Sequence, residues 1–156
     1  MNKDLHFSSA TGDWATPQDF FDEVNRQFNF ASDVAASEAN AKCDLFYDGS
    51  EGLDGLVETW GINGRPAWCN PPYGRGIGVW INKAIVEKLN RHPSVLLVPA
   101  RTDTKWFRLA FENAAKLWFV PGRLKFGGSK DAAPFPSALF YFTHKIAMPC
   151  QVAYWR

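Results

Sequence analysis

Apolar residues in this chain recur at two spacings. Phe20, Phe21, Val24 and Phe28 recur every three or four positions, which predicts a helix. Thr16-Pro17-Gln18-Asp19 opens it, with Thr at the N-cap, Pro at the first helical position and Asp completing a capping box. Phe30 to Val34 reads as the first strand, Ser37 to Cys43 as a short helix, and Tyr47 to Gly55 as a Gly- and Asp-rich loop. Pro66-Ala67-Trp68-Cys69 is a short apolar run, hence a buried strand. Val79 to Leu89 fits a helix with Trp80, Ile81, Ala84, Ile85 and Leu89 on one side. Ser94 to Pro99 is almost continuously apolar, as a central parallel strand requires. Thr104 to Asn113 reads as helix and Lys116 to Val120 as strand. Ala138 to Thr143 and Gln151 to Trp155 are strands joined by a short connection, which predicts an antiparallel hairpin. Strand and helix alternate before that pair. The expected fold is therefore α/β and doubly wound, a mostly parallel sheet closed by an antiparallel hairpin. Residues 1–13 are polar, without period, and expected to be loose; residues 14–156 are expected to form one domain.

Composition narrows the class. Hydrophobic residues make up 46% of 156, enough for a sizeable core. There is no apolar run of membrane-spanning length, and the start Met1-Asn2-Lys3-Asp4 is polar, so a soluble cytoplasmic protein is expected. Cys43, Cys69 and Cys150 are far apart, and His6, His92 and His144 form no ligand pattern. Neither a disulfide framework nor a metal is expected. The net charge of +1 conceals an asymmetry. Residues 1–82 hold five Lys/Arg and twelve Asp/Glu (5 − 12 = −7), whereas residues 83–156 hold twelve and four (12 − 4 = +8). Such a division suggests one face for a polyanion, unless the two halves mix in space.

The most specific chemistry lies in Asn70-Pro71-Pro72-Tyr73, which follows the 66–69 strand and leads into Gly74-Arg75-Gly76. Carboxyl ends of strands are where open α/β sheets place their ligands. Two prolines fix two φ angles, remove two N–H donors and push the preceding residues to extended geometry. The product is a rigid elbow that shows carbonyl oxygens, one amide and one aromatic ring to a single cavity. That set suits a planar base with an exocyclic amine. The Asn70 side chain and the Pro71 carbonyl accept its hydrogens, and the Tyr73 ring stacks on its face. The lone pair of such an amine is delocalised into the ring, so it is a poor nucleophile. Acceptors out of the ring plane favour a tetrahedral nitrogen and stabilise the charge that grows as a methyl arrives, with no strong general base required. A plain proline turn is the bland alternative.

Taken in order along residues 12–142, the chain resembles the phage-type, Dam-like DNA adenine-N-6 methyltransferases of phages and prophages. The resemblance rests on Trp14-Ala15-Thr16-Pro17-Gln18-Asp19-Phe20-Phe21, Asp33-Val34-Ala35-Ala36, Asn40-Ala41-Lys42-Cys43, Asp54-Gly55-Leu56 and Trp68-Cys69-Asn70-Pro71-Pro72-Tyr73-Gly74. It continues through Leu97 to Phe107, Gly122-Arg123-Leu124-Lys125-Phe126 and Pro134-Phe135-Pro136-Ser137-Ala138. It implies a Rossmann-like class I methyltransferase that uses S-adenosylmethionine. It also implies DNA as partner, with the target adenine flipped out of the duplex because a stacked base cannot reach such a pocket. Asn70, Pro71, Pro72 and Tyr73 become the catalytic candidates. The family's cofactor turn is glycine-rich; here it is Asp33-Val34-Ala35-Ala36-Ser37, whose small residues still allow close approach. Asp33 and Ala35 are cofactor candidates, with Asp33 suited to an amino group or a ribose hydroxyl. Thr16 and Pro17 are placed at the methionine end, Asp54 at the ribose or adenine ring, and Asn70 beside the methyl. Thr16 also explains itself as a cap, Asp33 as a strand-end acceptor and Asp54 as a loop residue.

For nucleic acid, Arg101 and Lys105 follow the 94–99 strand, while Arg123, Lys125 and Lys130 surround Phe126 in a basic loop. These, with Tyr73, are the DNA candidates; a helix cap at Thr102 or Thr104 and a solvated loop are the alternatives. The same motif also serves amine methyltransferases acting on cytosine, RNA or a protein glutamine. A nucleic-acid-binding protein with a decayed cofactor site is the alternative from another class. The role the resemblance implies is phage DNA modification in the host cytoplasm, for example protection from restriction.

Overall fold

One six-stranded sheet organises the chain. The computed structural model describes residues 14–156; the expectation for residues 1–13 lies outside the described residues. The strands are β1 (Ser32–Asp33), β2 (Ala67–Cys69), β3 (Ser94–Pro99), β4 (Lys116–Phe119), β5 (Ser137–Phe142) and β6 (Gln151–Tyr154), and the helices are α1 (Gln18–Phe28), α2 (Ile77–Leu89) and α3 (Lys105–Asn113). The spatial order is β1-β2-β3-β5-β4-β6. β1, β2 and β3 run parallel, with Asp33 opposite Trp68 and Cys69 opposite Leu96. β5 is antiparallel to both β3 and β4, and β6 is parallel to β4.

The expected hairpin is therefore corrected. β5 and β6 are not neighbours, because β4 lies between them. Burial explains the choice. β5 has five of its six residues buried and fits an interior slot, whereas all four residues of β6 are exposed and suit only an edge.

Period-two alternation divides the core. Ala67, Cys69, Leu96, Val98, Ala138, Phe140 and Phe142 face one side with Trp80, Ile81 and Ala84 of α2 and Phe107 and Ala110 of α3. Trp68, Val95, Leu97 and Leu139 face the other side with Phe20, Phe21 and Val24 of α1. β3 is covered on both faces, which is why its sequence shows no alternation.

Three smaller expectations also change. The α1 N-cap is Pro17 and carries no side-chain cap bond; Thr16 is buried instead. Residues 37–43 form a turn rather than a helix, since the Asn40 carboxamide accepts the Ser37 N–H and competes with helical bonding. Leu89, the last residue of α2, is 76% exposed and lies off its buried side. By contrast Thr104 does cap α3, accepting from the Phe107 N–H at 3.2 Å.

This topology collects the carboxyl ends of β1, β2, β3 and β4 along one edge, together with the start of β5. The turns after Asp33, Cys69 and Pro99 and the long 120–136 connection therefore share that edge.

Candidate active site

The turn after β2 is rigid and dry. Asn70 is 6% exposed and Pro71 and Pro72 are buried. Gly74 follows at φ +112, where a side chain would be strained, and turns the chain into α2. The Asn70 Nδ2 donates to the Trp14 carbonyl at 2.6 Å. A carbonyl only accepts, so the amide nitrogen must face Trp14 and the amide oxygen must face away. That oxygen, Oδ1, is buried and has no partner. Leaving such an acceptor unpaired costs about 1–3 kcal/mol. Among the described residues Ser32, Trp68, Ser94 and Ser137 also keep a buried unpaired polar atom, but each lies within a strand; Asn70 is the one in a turn.

Tyr73 sits in an aromatic cluster at the same edge. Its ring stacks against Trp14 at 6.1 Å and meets Phe126 and Phe135 edge-on at 6.0 and 5.6 Å. Its hydroxyl donates a long 3.4 Å bond to the Leu97 carbonyl. Burial holds the Tyr73 phenol well above its ordinary pKa, so it stays protonated and is no general base at neutral pH. Burial likewise raises the Cys69 thiol, directly before Asn70, and pushes the Cys43 thiol up to about 12. Neither supplies a thiolate nucleophile.

The turn after β1 is built differently. Asp33 is buried, and its two oxygens accept the Ala35 N–H at 3.4 Å and the Lys42 N–H at 3.1 Å. Desolvation raises its pKa to about 6 against those hydrogen bonds. Ala35 is buried beside it. Gly55 presses on this turn: a Cβ there would lie 1.9 Å from the Val34 carbonyl, so only glycine fits. Asp54, next to it, accepts the Leu56 N–H at 2.9 Å. Thr16 is buried two residues after Trp14, and Pro17 lines a cavity of about 460 Å³ shared with Asp19, Glu23, Arg123 and Lys125.

The basic candidates divide. Arg101 is exposed and its guanidinium lies 5.9 Å from the Phe135 ring, joining the aromatic cluster. Arg123 donates to the Ala133 carbonyl at 3.2 Å and, with Lys125, lines the same cavity as Asp19 and Glu23. Phe126 is buried, with its ring 5.7 Å from Trp14. Lys105 opens α3 and is exposed.

Comparison with known proteins identifies the chain's relatives. The family model described as DNA N-6-adenine-methyltransferase (Dam) matches residues 6–143. The chain belongs to this family. It is 33% identical over 112 residues to a DNA N-6-adenine-methyltransferase of Escherichia phage T1, covering 71% of this chain and 45% of that protein. It is 29% identical over 109 residues to one of Haemophilus phage HP1, covering 69% of this chain and 61% of that protein. The Dam-family chain thus spans about half the length of the curated relatives it matches. Among its described residues, no helix is long and apolar enough to cross a membrane and no cluster of side chains could hold a metal.

The structure adds two contacts at this edge that the sequence did not suggest. The Trp14 carbonyl orients Asn70, and Phe135 joins Tyr73 to Arg101. Phe135, an aromatic between two prolines, carried a sequence signal; the Trp14 carbonyl, a backbone group, carried none.

Proposed function

We propose that the chain is a Rossmann-like class I methyltransferase that moves a methyl group from S-adenosylmethionine to the exocyclic amine of an adenine flipped out of duplex DNA. The observation that carries this reading is the unpaired, buried Oδ1 of Asn70 at the sheet's carboxyl edge. A buried acceptor without a donor fits an amine brought by the substrate.

The residues present also fit the methyl donor. Ala35 adds little bulk to the turn after β1, and Asp33 offers a carboxylate with lone pairs beyond the two backbone bonds it accepts. Asp33 and Asp54 would hold polar groups of the cofactor, and Thr16, Pro17 and Asn70 would line its reactive end. When bound, S-adenosylmethionine supplies an electrophilic methyl on a sulfonium.

The chain's own residues do the rest. Tyr73 stacks on the base. Asn70 Oδ1 and the Pro71 carbonyl accept the two amine hydrogens and favour a tetrahedral nitrogen whose lone pair is less conjugated with the ring. As the N–C bond forms and the S–C bond breaks, both acceptors stabilise the charge on nitrogen, which then loses one proton to solvent. Arg101, Lys105, Arg123, Lys125 and Phe126 would meet the DNA around the flipped base. Protection of phage DNA from host restriction is the role this chemistry would serve.

A methyl-donor assay with DNA, RNA and protein acceptors tests the reading. Label is expected in duplex DNA as N-6-methyladenine. Label confined to cytosine, RNA or protein would contradict it, and no heat-stability shift with saturating S-adenosylmethionine would remove the methyltransferase reading altogether.

A further inference from the structure

We propose that the Trp14 backbone carbonyl is a positioning group that locks the Asn70 carboxamide with its oxygen facing the substrate, and that residues 14–15 act as a brace held by the 126–128 turn. The brace is tied at three points. Asn70 Nδ2 donates to the Trp14 carbonyl at 2.6 Å. The Gly127 N–H donates to the Ala15 carbonyl at 2.9 Å, from a left-handed conformation at φ +62. The Trp14 ring is wedged among Tyr73, Phe126 and Phe135, with centroids 6.1, 5.7 and 5.0 Å away.

An unbraced carboxamide can turn over. A half-turn about the Cβ–Cγ bond exchanges its oxygen and nitrogen in space. Oδ1 would then meet the Trp14 carbonyl, acceptor against acceptor, and Nδ2 would meet the substrate amine, donor against donor. The Trp14 carbonyl excludes that state because it rewards only the nitrogen. The orphaned Oδ1 follows from this brace: it is buried, yet it cannot rotate to find a partner.

This arrangement makes a specific statement about aspartate. At position 70 a carboxylate would set a second negative acceptor against the Trp14 carbonyl. Only the protonated carboxyl, donating its O–H to Trp14, reproduces the native pattern. Among the described residues, the titratable groups around the position are Asp33 on β1, Cys69 on β2 and Tyr73 in the turn itself, with the Arg101 charge joined through Phe135. Cys69 and Tyr73 stay neutral between pH 5.5 and 8.5, because burial raises both. Asp33, whose pKa burial raises to about 6, is common to the parent and the variants, so rates are taken as a ratio to the parent at each pH.

The rate arm rests on the methyl-transfer reading above; a second arm does not. In the first, single-turnover methyl transfer is measured for the parent, Asn70→Asp and Asn70→Ala from pH 5.5 to 8.5. Asn70→Asp is expected to be down on the order of 100-fold at pH 8.5. Its ratio should then recover by up to about tenfold per pH unit as the pH falls and its carboxyl takes a proton, while the Asn70→Ala ratio stays flat. Near-parent activity of Asn70→Asp at pH 8.5, or a deficit as flat as that of alanine in a folded protein, overturns the proposal. In the second arm, the Asn70 side-chain amide is observed by NMR without cofactor or DNA and assigned by its loss in Asn70→Ala. Slow exchange of one of its two protons is expected, and rapid exchange of both overturns the brace. If the parent transfers no methyl to DNA, the functional reading fails and the NMR arm still decides this one.

Discussion

Neighbouring parallel strands β1 and β2 end in two turns of opposite construction. After β1, Asp33 is buried and both its oxygens accept backbone N–H groups, from Ala35 and Lys42. After β2, Asn70 is equally buried but spends only its nitrogen, on the Trp14 carbonyl, and keeps its oxygen unpaired. The first turn is internally complete and holds its loop in place. The second leaves a buried acceptor open to a donor from outside the turn. Burial alone does not mark a site; an unsatisfied group held rigidly at a ligand-binding edge does.

Substitutions should separate the two turns, and the largest effect is expected at Asn70. Asn70→Ala should lower the methyl-transfer rate on the order of 100-fold or more while leaving cofactor affinity within a small factor. Its thermal stability should change little, since it removes an orphaned acceptor along with one hydrogen bond. Near-normal single-turnover rates would mean that the two turns have been assigned the wrong way round.

Tyr73→Ala comes next, removing a stacking surface worth about 1–3 kcal/mol, or roughly five- to 150-fold in productive base engagement. Tyr73→Phe should keep most of the activity, because the hydroxyl's bond to Leu97 is a long 3.4 Å. An inactive Tyr73→Phe protein in steady-state assays would assign chemistry to the phenol.

Asp33 should behave as the inverse of Asn70. Asp33→Ala leaves two donors unpaired and should destabilise the fold by about 1–3 kcal/mol, read by denaturant unfolding. Its titration has a definite sign. The folded pKa of about 6 lies above the ordinary value of 3.8, so the folded state binds the proton more tightly. The Asp33 contribution is most favourable below about pH 4 and is lost as pH rises through about 6. Relative to a variant lacking the carboxyl, stability should therefore fall between pH 4 and 6 and level off above. If Asp33 also holds the cofactor as a carboxylate, S-adenosylmethionine affinity should run the other way, weakening as pH falls below about 6. Calorimetry over that range would show either a matching loss or pH-independent binding, and the latter would leave Asp33 a purely structural role.

The smallest effects belong to the exposed cations. Neutralising Arg101 or Lys125 should each flatten the salt dependence of DNA binding by about one unit per lost phosphate contact. Arg101 lies against the aromatic cluster, whereas Lys125 shares its cavity with Asp19 and Glu23. A silent Lys125→Ala beside a clear Arg101→Ala effect would sharpen the map. Two silent variants would mean that the charge asymmetry between the chain's halves is mixed away in space.

Features that depend on one segment were legible in the sequence, and those that depend on distant backbone were not. The apolar run before Asn70 fixed β2 and set the proline elbow at its carboxyl end, because strand and motif are contiguous. Thr104 could be read as a cap for the same reason. Position in the sheet was not local. The Gln151–Tyr154 strand follows β5 closely, yet β5 has both its edges occupied, by β3 and β4, and the strand pairs with the outer edge of β4 instead. Thr16 likewise fits a capping box by spacing, but the chain at Trp14 is committed to Asn70, 56 residues away, and α1 begins at Gln18. No spacing rule could have revealed the Trp14 carbonyl, since a backbone group carries no sequence signature.

The most direct test follows one labelled methyl group. The chain is mixed with S-adenosylmethionine carrying a labelled methyl and with duplex DNA, and the DNA is digested to nucleosides after a single turnover. The account predicts label in N-6-methyldeoxyadenosine for the parent and a fall on the order of 100-fold for Asn70→Ala at saturating cofactor. Label in any other nucleoside, or equal label from the two proteins, would contradict it.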